Sequence, residues 1–300
     1  MVATADASQS WIERQEAILR LARCQLFFVG GAPRSGTTWI QSMLDSHPEV
    51  CCHGSGLFMQ DLAAPLEAMM ATRRQALVAK NMHMSSHTGG YPLPASEDVE
   101  SLVGTAILLA LHQQTAGKDY LAVGEKTPEN VFFFPRLKRL FPGARFIGIA
   151  RDPRDVLTSA WHLFRKTAPG EDEVTAKTAF IASAFPALDN GARTMLALTQ
   201  QFASDCTIVT YEHMLEAPTA VAAQLFRFLG VSDRDSIVAD CVARTSFAAL
   251  SGGRSPGVAE NGSFFRKGVS GDWHSTLTPE MNQMILRELG WMFPAFGWEP

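Results

Sequence analysis

The chain has 300 residues, 46% of them hydrophobic and 19% charged, with a net charge of −4. That is ample material for a sizeable core and too little charge for global disorder. The slight acidity argues against a general nucleic-acid binder, so any anion site must be local. Five cysteines (Cys24, Cys51, Cys52, Cys206 and Cys241), odd in number and without a C-x-x-C pair, argue against a disulfide framework or a metal site. They read as thiols of a reducing cytoplasm. The first residues, MVATADASQSWIERQ, lack a basic stretch followed by an apolar one, and no apolar run approaches the length of a membrane span. The expectation is a cytoplasmic protein with no signal peptide and no membrane partner.

In chain order, residues 1–9 read as a loose terminus. A helix follows from Ser10 to about Arg23, its apolar face formed by Trp11, Ile12, Ala17, Ile18 and Leu21. Residues 1–24 are thus a tail and helix, and 25–300 a single domain. The first strand is Gln25–Gly30. It runs into Gly31-Ala32-Pro33-Arg34-Ser35-Gly36-Thr37-Thr38-Trp39, which opens a helix reaching Leu44. Strand, glycine loop and helix N-terminus form the arrangement that cradles a phosphate. Ser35, Thr37 and Thr38 add hydroxyl donors, and Arg34 adds a forked cation. The loop is not a Walker A motif, because Gly36 is followed by Thr37 and not by lysine. That counts against a P-loop kinase.

Residues 49–60 are irregular, with a turn at Gly54-Ser55-Gly56. A helix spans Asp61 to about Lys80. The 18 residues 81–98, rich in His, Ser, Gly and Pro, form a loop that lines the substrate or closes over it. That loop includes His83 and His87. A helix covers Val99–Thr115, and a short strand, Leu121–Gly124, leads into Glu125-Lys126-Thr127-Pro128. After a helix to Leu140, a third strand, Arg145–Ala150, ends at Arg151, and a helix runs to Phe164. Thr178–Phe202 is helical with Pro186 as a point for a bend, Cys206–Thr210 is the fourth strand, and Pro218–Leu229 is a helix stopped by Gly230. The fold class is α/β: a mainly parallel sheet covered by helices, with ligands bound beyond the carboxyl ends of its strands. Arg151 and Ser159, eight positions apart, suit a second phosphate. An Arg151–Asp155 pair beside a packed Ser159 suits the spacing equally.

Five motifs then occur in one order: the Arg34–Trp39 loop, Arg151/Ser159, Tyr211-Glu212-His213-Met214, Thr245-Ser246-Phe247, and Arg266-Lys267-Gly268 before Gly271-Asp272-Trp273. In this the chain resembles the soluble sulfotransferases that use 3′-phosphoadenosine 5′-phosphosulfate (PAPS) and release PAP. Arginine at position 34, where lysine is usual, resembles the protein-tyrosine sulfotransferases. The resemblance implies that Arg34 and Ser35, Gly36, Thr37 and Thr38 hold the 5′-phosphosulfate. It implies that Trp39 and Phe247 sandwich the adenine, with Tyr211 and Thr245 beside it, and that Arg151, Ser159, Arg266, Lys267 and Gly268 clamp the 3′-phosphate. Lys126 matches a lysine near the transferred group. The base is where the chain departs: Pro128 stands where the cytosolic enzymes carry histidine, and Ser55 where the tyrosine enzymes carry glutamate. The candidates are His53, Glu125, and His83 and His87 of the 81–98 loop, with His53 chosen first and Glu125 next, since imidazole and carboxylate suit that work. The function expected is sulfuryl transfer to a hydroxyl of a small-molecule acceptor, with no metal. The alternative is a PAP-binding protein of little or no activity. The segment 274–280 keeps only part of the cytosolic enzymes' dimer motif, which leaves the oligomeric state open.

Overall fold

The computed structural model describes residues 2–84, 89–165, 170–260 and 263–300. Its elements run α1 (Val2–Leu21), β1 (Gln25–Gly31), α2 (Thr37–Asp45), β2 (Val50–His53), a π-helical turn (Phe58–Ala63), α3 (Ala64–Met82) and α4 (Ser96–Gln114). There follow β3 (Ala122–Lys126), α5 (Asn130–Leu140), β4 (Arg145–Ala150), α6 (Pro153–Phe164), α7 (Glu173–Gln201), β5 (Cys206–Thr210), α8 (Tyr211–Glu216) and α9 (Pro218–Leu229). The chain closes with α10 (Asp235–Arg244), α11 (Phe247–Leu250), a 3₁₀ turn (Asp272–Ser275), α12 (Pro279–Leu289) and α13 (Met292–Phe296).

The five strands lie in the order β2-β3-β1-β4-β5, and every neighbouring pair is parallel. Strands β1 and β4 are apolar along nearly their whole length because both their faces are covered. One face buries Phe28, Phe134 and Phe146 with Ile107 and Leu111, and the other buries Phe27, Ile40, Leu44 and Phe226. Each such side chain contributes about 1.5–3 kcal/mol on burial. A third cluster joins α6 and α7 to α12 through Leu157, Ile181 and Ile285.

The main departure from expectation is β2. Within residues 49–60, Val50–His53 form a fifth strand, with Val50–Cys52 buried, and the π-helical turn starts at Phe58; only the turn at 54–57 between them is irregular as expected. β3 likewise runs on to include Glu125 and Lys126. α1 starts at Val2, not Ser10, and Trp11 and Ile12 are exposed while Ile18 and Leu21 carry its packing. α7 begins at Glu173 and continues through Pro186. The loop of residues 81–98 is shorter than expected, since α3 runs to Met82 and α4 starts at Ser96; His87 lies outside the described residues. Among the described residues no helix is long and apolar enough to cross a membrane.

Because all strands are parallel, their carboxyl ends share one edge. There stand Arg34 in the turn after β1, Lys126 at the end of β3, Arg151 just after β4 and Tyr211 opening α8 after β5. α6 leaves that edge from an N-cap, Asp152, whose side chain accepts the Arg154 N–H at 2.8 Å, with Pro153 next in line.

Candidate active site

The loop after β1 is held from both sides. The Gly31 N–H donates to the Pro128 carbonyl at 2.9 Å. The Ser35 hydroxyl and N–H both turn back on the Ala32 carbonyl, at 2.6 and 3.0 Å. Arg34 sits in the left-handed region at φ 74°, a conformation that costs a non-glycine residue about 1–2 kcal/mol. Gly36 follows at φ 101°, and a Cβ there would lie 2.7 Å from the Tyr211 ring, so glycine is required on both counts. No side chain caps α2, which leaves its first turn to face a ligand.

Around this turn lies a cavity of about 430 Å³. It is lined by Arg34, Gly36, Thr37, Thr38, Trp39, Arg151, Ser159, Tyr211, Thr245, Phe247, Arg266, Lys267 and Gly268. Ser35, fully buried behind the turn, is the one residue of the expected nucleotide set outside the lining. The Arg34 guanidinium donates to Ser159 Oγ at 3.1 Å and lies over the Phe264 ring. Arg151 donates to the carbonyls of Arg34 (3.1 Å) and Val269 (3.0 Å) and lies over the Tyr211 ring. It also approaches Asp155 to 3.6 Å, so the Arg151–Asp155 pair exists, while Ser159 is bonded to a cation and not merely packed.

Asp155 joins two distant motifs. Its carboxylate accepts from Ser270 Oγ (3.2 Å), Gly271 N–H (2.7 Å) and Trp273 N–H (3.1 Å), which docks residues 270–273 on α6. Asp272 pairs with both Arg266 and Lys267. Gly268, at φ 65°, lies so close to Phe247 that a Cβ would fall 2.2 Å from its ring.

Four cations therefore face two carboxylates. Burial, followed by the charges of Arg151 and Arg266, lowers the Arg34 pKa to about 10. Burial and then Arg151 lower that of Arg266. Arg151 Nε, Arg266 Nε and Trp39 Nε1 are buried with no hydrogen-bond partner among the described residues. Unsatisfied buried donors and mutually repelling guanidiniums are what an anionic, donor-hungry ligand relieves.

The other expected residues stand apart from this cavity, at the β2–β3 end of the same sheet edge. Lys126 is 6% exposed, and its Nζ reaches Ser55 Oγ at 3.4 Å; burial lowers its pKa against the pull of Glu125. Glu125 is buried. Its carboxylate accepts from Gly56 N–H (2.6 Å), Thr127 Oγ1 (2.5 Å) and Asn130 Nδ2 (2.8 Å), while burial raises its pKa despite them. These bonds tie the turn at 54–57 to β3, and the Leu57 N–H adds another to Thr127 Oγ1 at 3.1 Å. His53 pairs in register with Glu125 across the two strands, with its side chain exposed and 3.8 Å from Asp45. His47, in contrast, is buried against the Ser232 carbonyl at 2.8 Å.

Sequence reasoning missed Arg254. It donates to the carbonyls of Val258 (3.2 Å), Phe265 (2.5 Å) and Arg266 (3.0 Å) and to Ser263 Oγ (3.0 Å), pairs with Glu260, and lies over the Phe247 ring. One guanidinium thus shapes the loop that presents Arg266 and Lys267. The only hint in the sequence is an arginine set between Gly252-Gly253 and Pro256-Gly257.

The model of the Sulfotransferase family matches residues 27–235. The chain belongs to the sulfotransferase family. A Caenorhabditis briggsae protein carrying a protein-tyrosine sulfotransferase name is 28% identical over 205 residues, 68% of this chain and 65% of that one. Protein-tyrosine sulfotransferase 1 of Danio rerio is 24% identical over 213 residues, 71% of this chain and 55% of its own. The chain thus spans 65% and 55% of the length of these two curated relatives. The fold is shared with a mouse sulfotransferase solved in complex with PAP (TM-score 0.57, 16% identity, 93% of this chain and 88% of that one). It is also shared with a sulfotransferase of Mycobacterium avium (TM-score 0.54, 15% identity, 97% and 81%).

Proposed function

We propose that this sulfotransferase-family chain binds PAPS in the cavity at the ends of β1 and β4 and transfers its sulfuryl group to a hydroxyl. The observation that carries the reading is the convergence of Arg34, Arg151, Arg266 and Lys267 on one cavity walled by Trp39 and Phe247, with buried donors unpaired there. A 3′,5′-bisphosphorylated adenosine supplies the anions and the flat base those groups call for, and a base–aromatic stack adds about 1–3 kcal/mol. PAPS supplies the activated sulfuryl group; the protein's own part is positioning and electrostatics. The uncapped first turn of α2 and Arg34 bind the 5′ end, and Arg151, Ser159, Arg266 and Lys267 the 3′-phosphate. Lys126 brings a buried ammonium toward the oxygens on which charge gathers. His53, in register with Glu125 on the neighbouring strand, takes the acceptor's proton. The enclosed Glu125 orients the Lys126 turn.

The names of the curated relatives favour the phenolic hydroxyl of a tyrosine in a polypeptide over the small-molecule acceptor expected from sequence. Purified chain with PAPS, assayed against a tyrosine peptide panel and a panel of free phenols and alcohols, decides between them. PAP binding without turnover on any acceptor favours the second reading, a nucleotide-binding protein. Ser55 and Pro128 at the positions of the usual bases support that reading.

Two further outcomes are expected. His53→Ala removes about 10²–10⁴-fold of turnover and leaves PAP affinity intact, as single-turnover rates and calorimetry would read; wild-type turnover moves the base elsewhere. Arg254→Ala frees the carbonyls of residues 258, 265 and 266 and weakens PAP binding about tenfold, at about 1 kcal/mol per hydrogen bond with partial relaxation. Arg254→Lys, lacking the fork, recovers only part of that affinity; equal affinities for the three proteins would show that the loop holds its shape without Arg254.

A further inference from the structure

Asp45 ends α2 at the outer edge of the sheet, and Cys51 and His53 lie two residues apart on one face of the edge strand β2. Their ligand-bearing atoms all fall within 4.8 Å of one another, with His53 Nε2 3.8 Å from Asp45 Oδ1. Asp45 is held in place by the Cys52 N–H, which donates to its Oδ1 at 2.9 Å. The Cys51 thiol is buried in the core, and its hydrogen bond to the Gln114 carbonyl is a long one, 3.7 Å. The Asp45 and His53 side chains are 40% and 55% exposed, which leaves a path from solvent on their side.

We propose that Asp45, Cys51 and His53 form a binding site for a divalent cation of the zinc class. One thiolate, one imidazole and one carboxylate make the three-ligand set that zinc accepts with a solvent molecule in the fourth position, and the sulfur and nitrogen donors disfavour magnesium and calcium. Zinc bond lengths place one sulfur, one nitrogen and one oxygen donor about 3.3–3.6 Å apart in a tetrahedron, so the trio closes by at most about 1.5 Å. That movement is available to an exposed imidazole and to the second oxygen of Asp45. Binding turns the Cys51 thiol into a thiolate and releases its proton to solvent. The absence of a C-x-x-C pair argued against a metal centre from sequence; here the donors come from a helix end and from alternate residues of a strand. The site does not depend on the nucleotide reading, although a cation on His53 removes that imidazole from service as a base.

The test uses the full-length chain, untagged and reduced, titrated with Co²⁺ and then Zn²⁺. One Co²⁺ should bind per chain with a thiolate-to-cobalt charge-transfer band, and Zn²⁺ should displace it. Cys51→Ser should abolish the band, and Cys24→Ser, at the half-exposed thiol elsewhere, should keep it. Asp45→Asn and His53→Ala, at exposed positions that keep the core thiol, should each lower Zn²⁺ affinity by at least about 10–100-fold, the loss seen for mere supporting residues of metal sites. A missing band, a band that survives Cys51→Ser, or Zn²⁺ affinity unchanged in both exposed-site variants overturns the proposal.

Discussion

Arg151→Ala is expected to weaken PAP binding by more than about a hundredfold. A guanidinium gripping a phosphate makes charge-assisted hydrogen bonds of about 1.5–3 kcal/mol each, and two of them exceed a hundredfold in Kd. The fold should survive. Asp155, which loses its cationic neighbour, keeps the donors of Ser270, Gly271 and Trp273, so its charge is not stranded. What is lost locally is the pair of bonds to the carbonyls of Arg34 and Val269, which brace the loop after β1 against residues 264–273. Arg151→Lys keeps the charge without the fork and should fall between the two. Calorimetric titration with PAP, alongside thermal unfolding, separates affinity from stability. Undiminished affinity in Arg151→Ala would remove the 3′-phosphate from this end of the cavity.

Lys126→Ala should lower turnover by about 10²–10³-fold, the usual loss when one fixed donor to a developing charge is removed. PAP affinity should change little, because Lys126 lies outside the lining of the nucleotide cavity. The pH dependence carries a definite sign. Burial holds the Lys126 pKa below the ordinary lysine value, and the role assigned here needs the protonated form. Turnover should therefore fall as pH rises through that lowered pKa, and Lys126→Arg should carry the alkaline limb to higher pH because guanidinium stays charged. A rate–pH profile of the two proteins on one acceptor checks this. Coincident alkaline limbs would show that Lys126 does not set the decline.

Each device at the strand ends was legible where its chemistry is written in contiguous residues. Gly30-Gly31 through Trp39 specify a strand, a turn and a helix start within one short stretch, and the structure builds them there. Arg145–Ala150 followed by Asp152-Pro153 does the same for β4 and α6. β2 escaped notice because four residues with an exposed end carry too short a pattern, and Gly54-Ser55-Gly56 imitates a longer loop. After Gly230, the short helices α10 and α11 carry few periodic positions. α12 carries more: Met281, Ile285 and Leu289 recur every four residues behind the Thr278 cap, a legible pattern that the expectations from sequence do not include.

By itself, then, the sequence determined the alternation of strands and helices, the phosphate-cradling turn, and which cations stand at strand ends. These depend on hydrogen bonds and dihedral preferences between neighbours in the chain. Only the tertiary structure decided the strand order β2-β3-β1-β4-β5, the docking of residues 270–273 on Asp155, the sharing of Asp272 by Arg266 and Lys267, and the Arg254 network. It also decided that Glu125 is enclosed by three donors while His53 is exposed beside Asp45. The order of the strands and the docking of distant segments depend on how the whole chain packs, not on local preference. Among nearer residues, the bond each polar group makes is selected by the burial that packing imposes, because a buried charge must find its partner wherever the fold brings one.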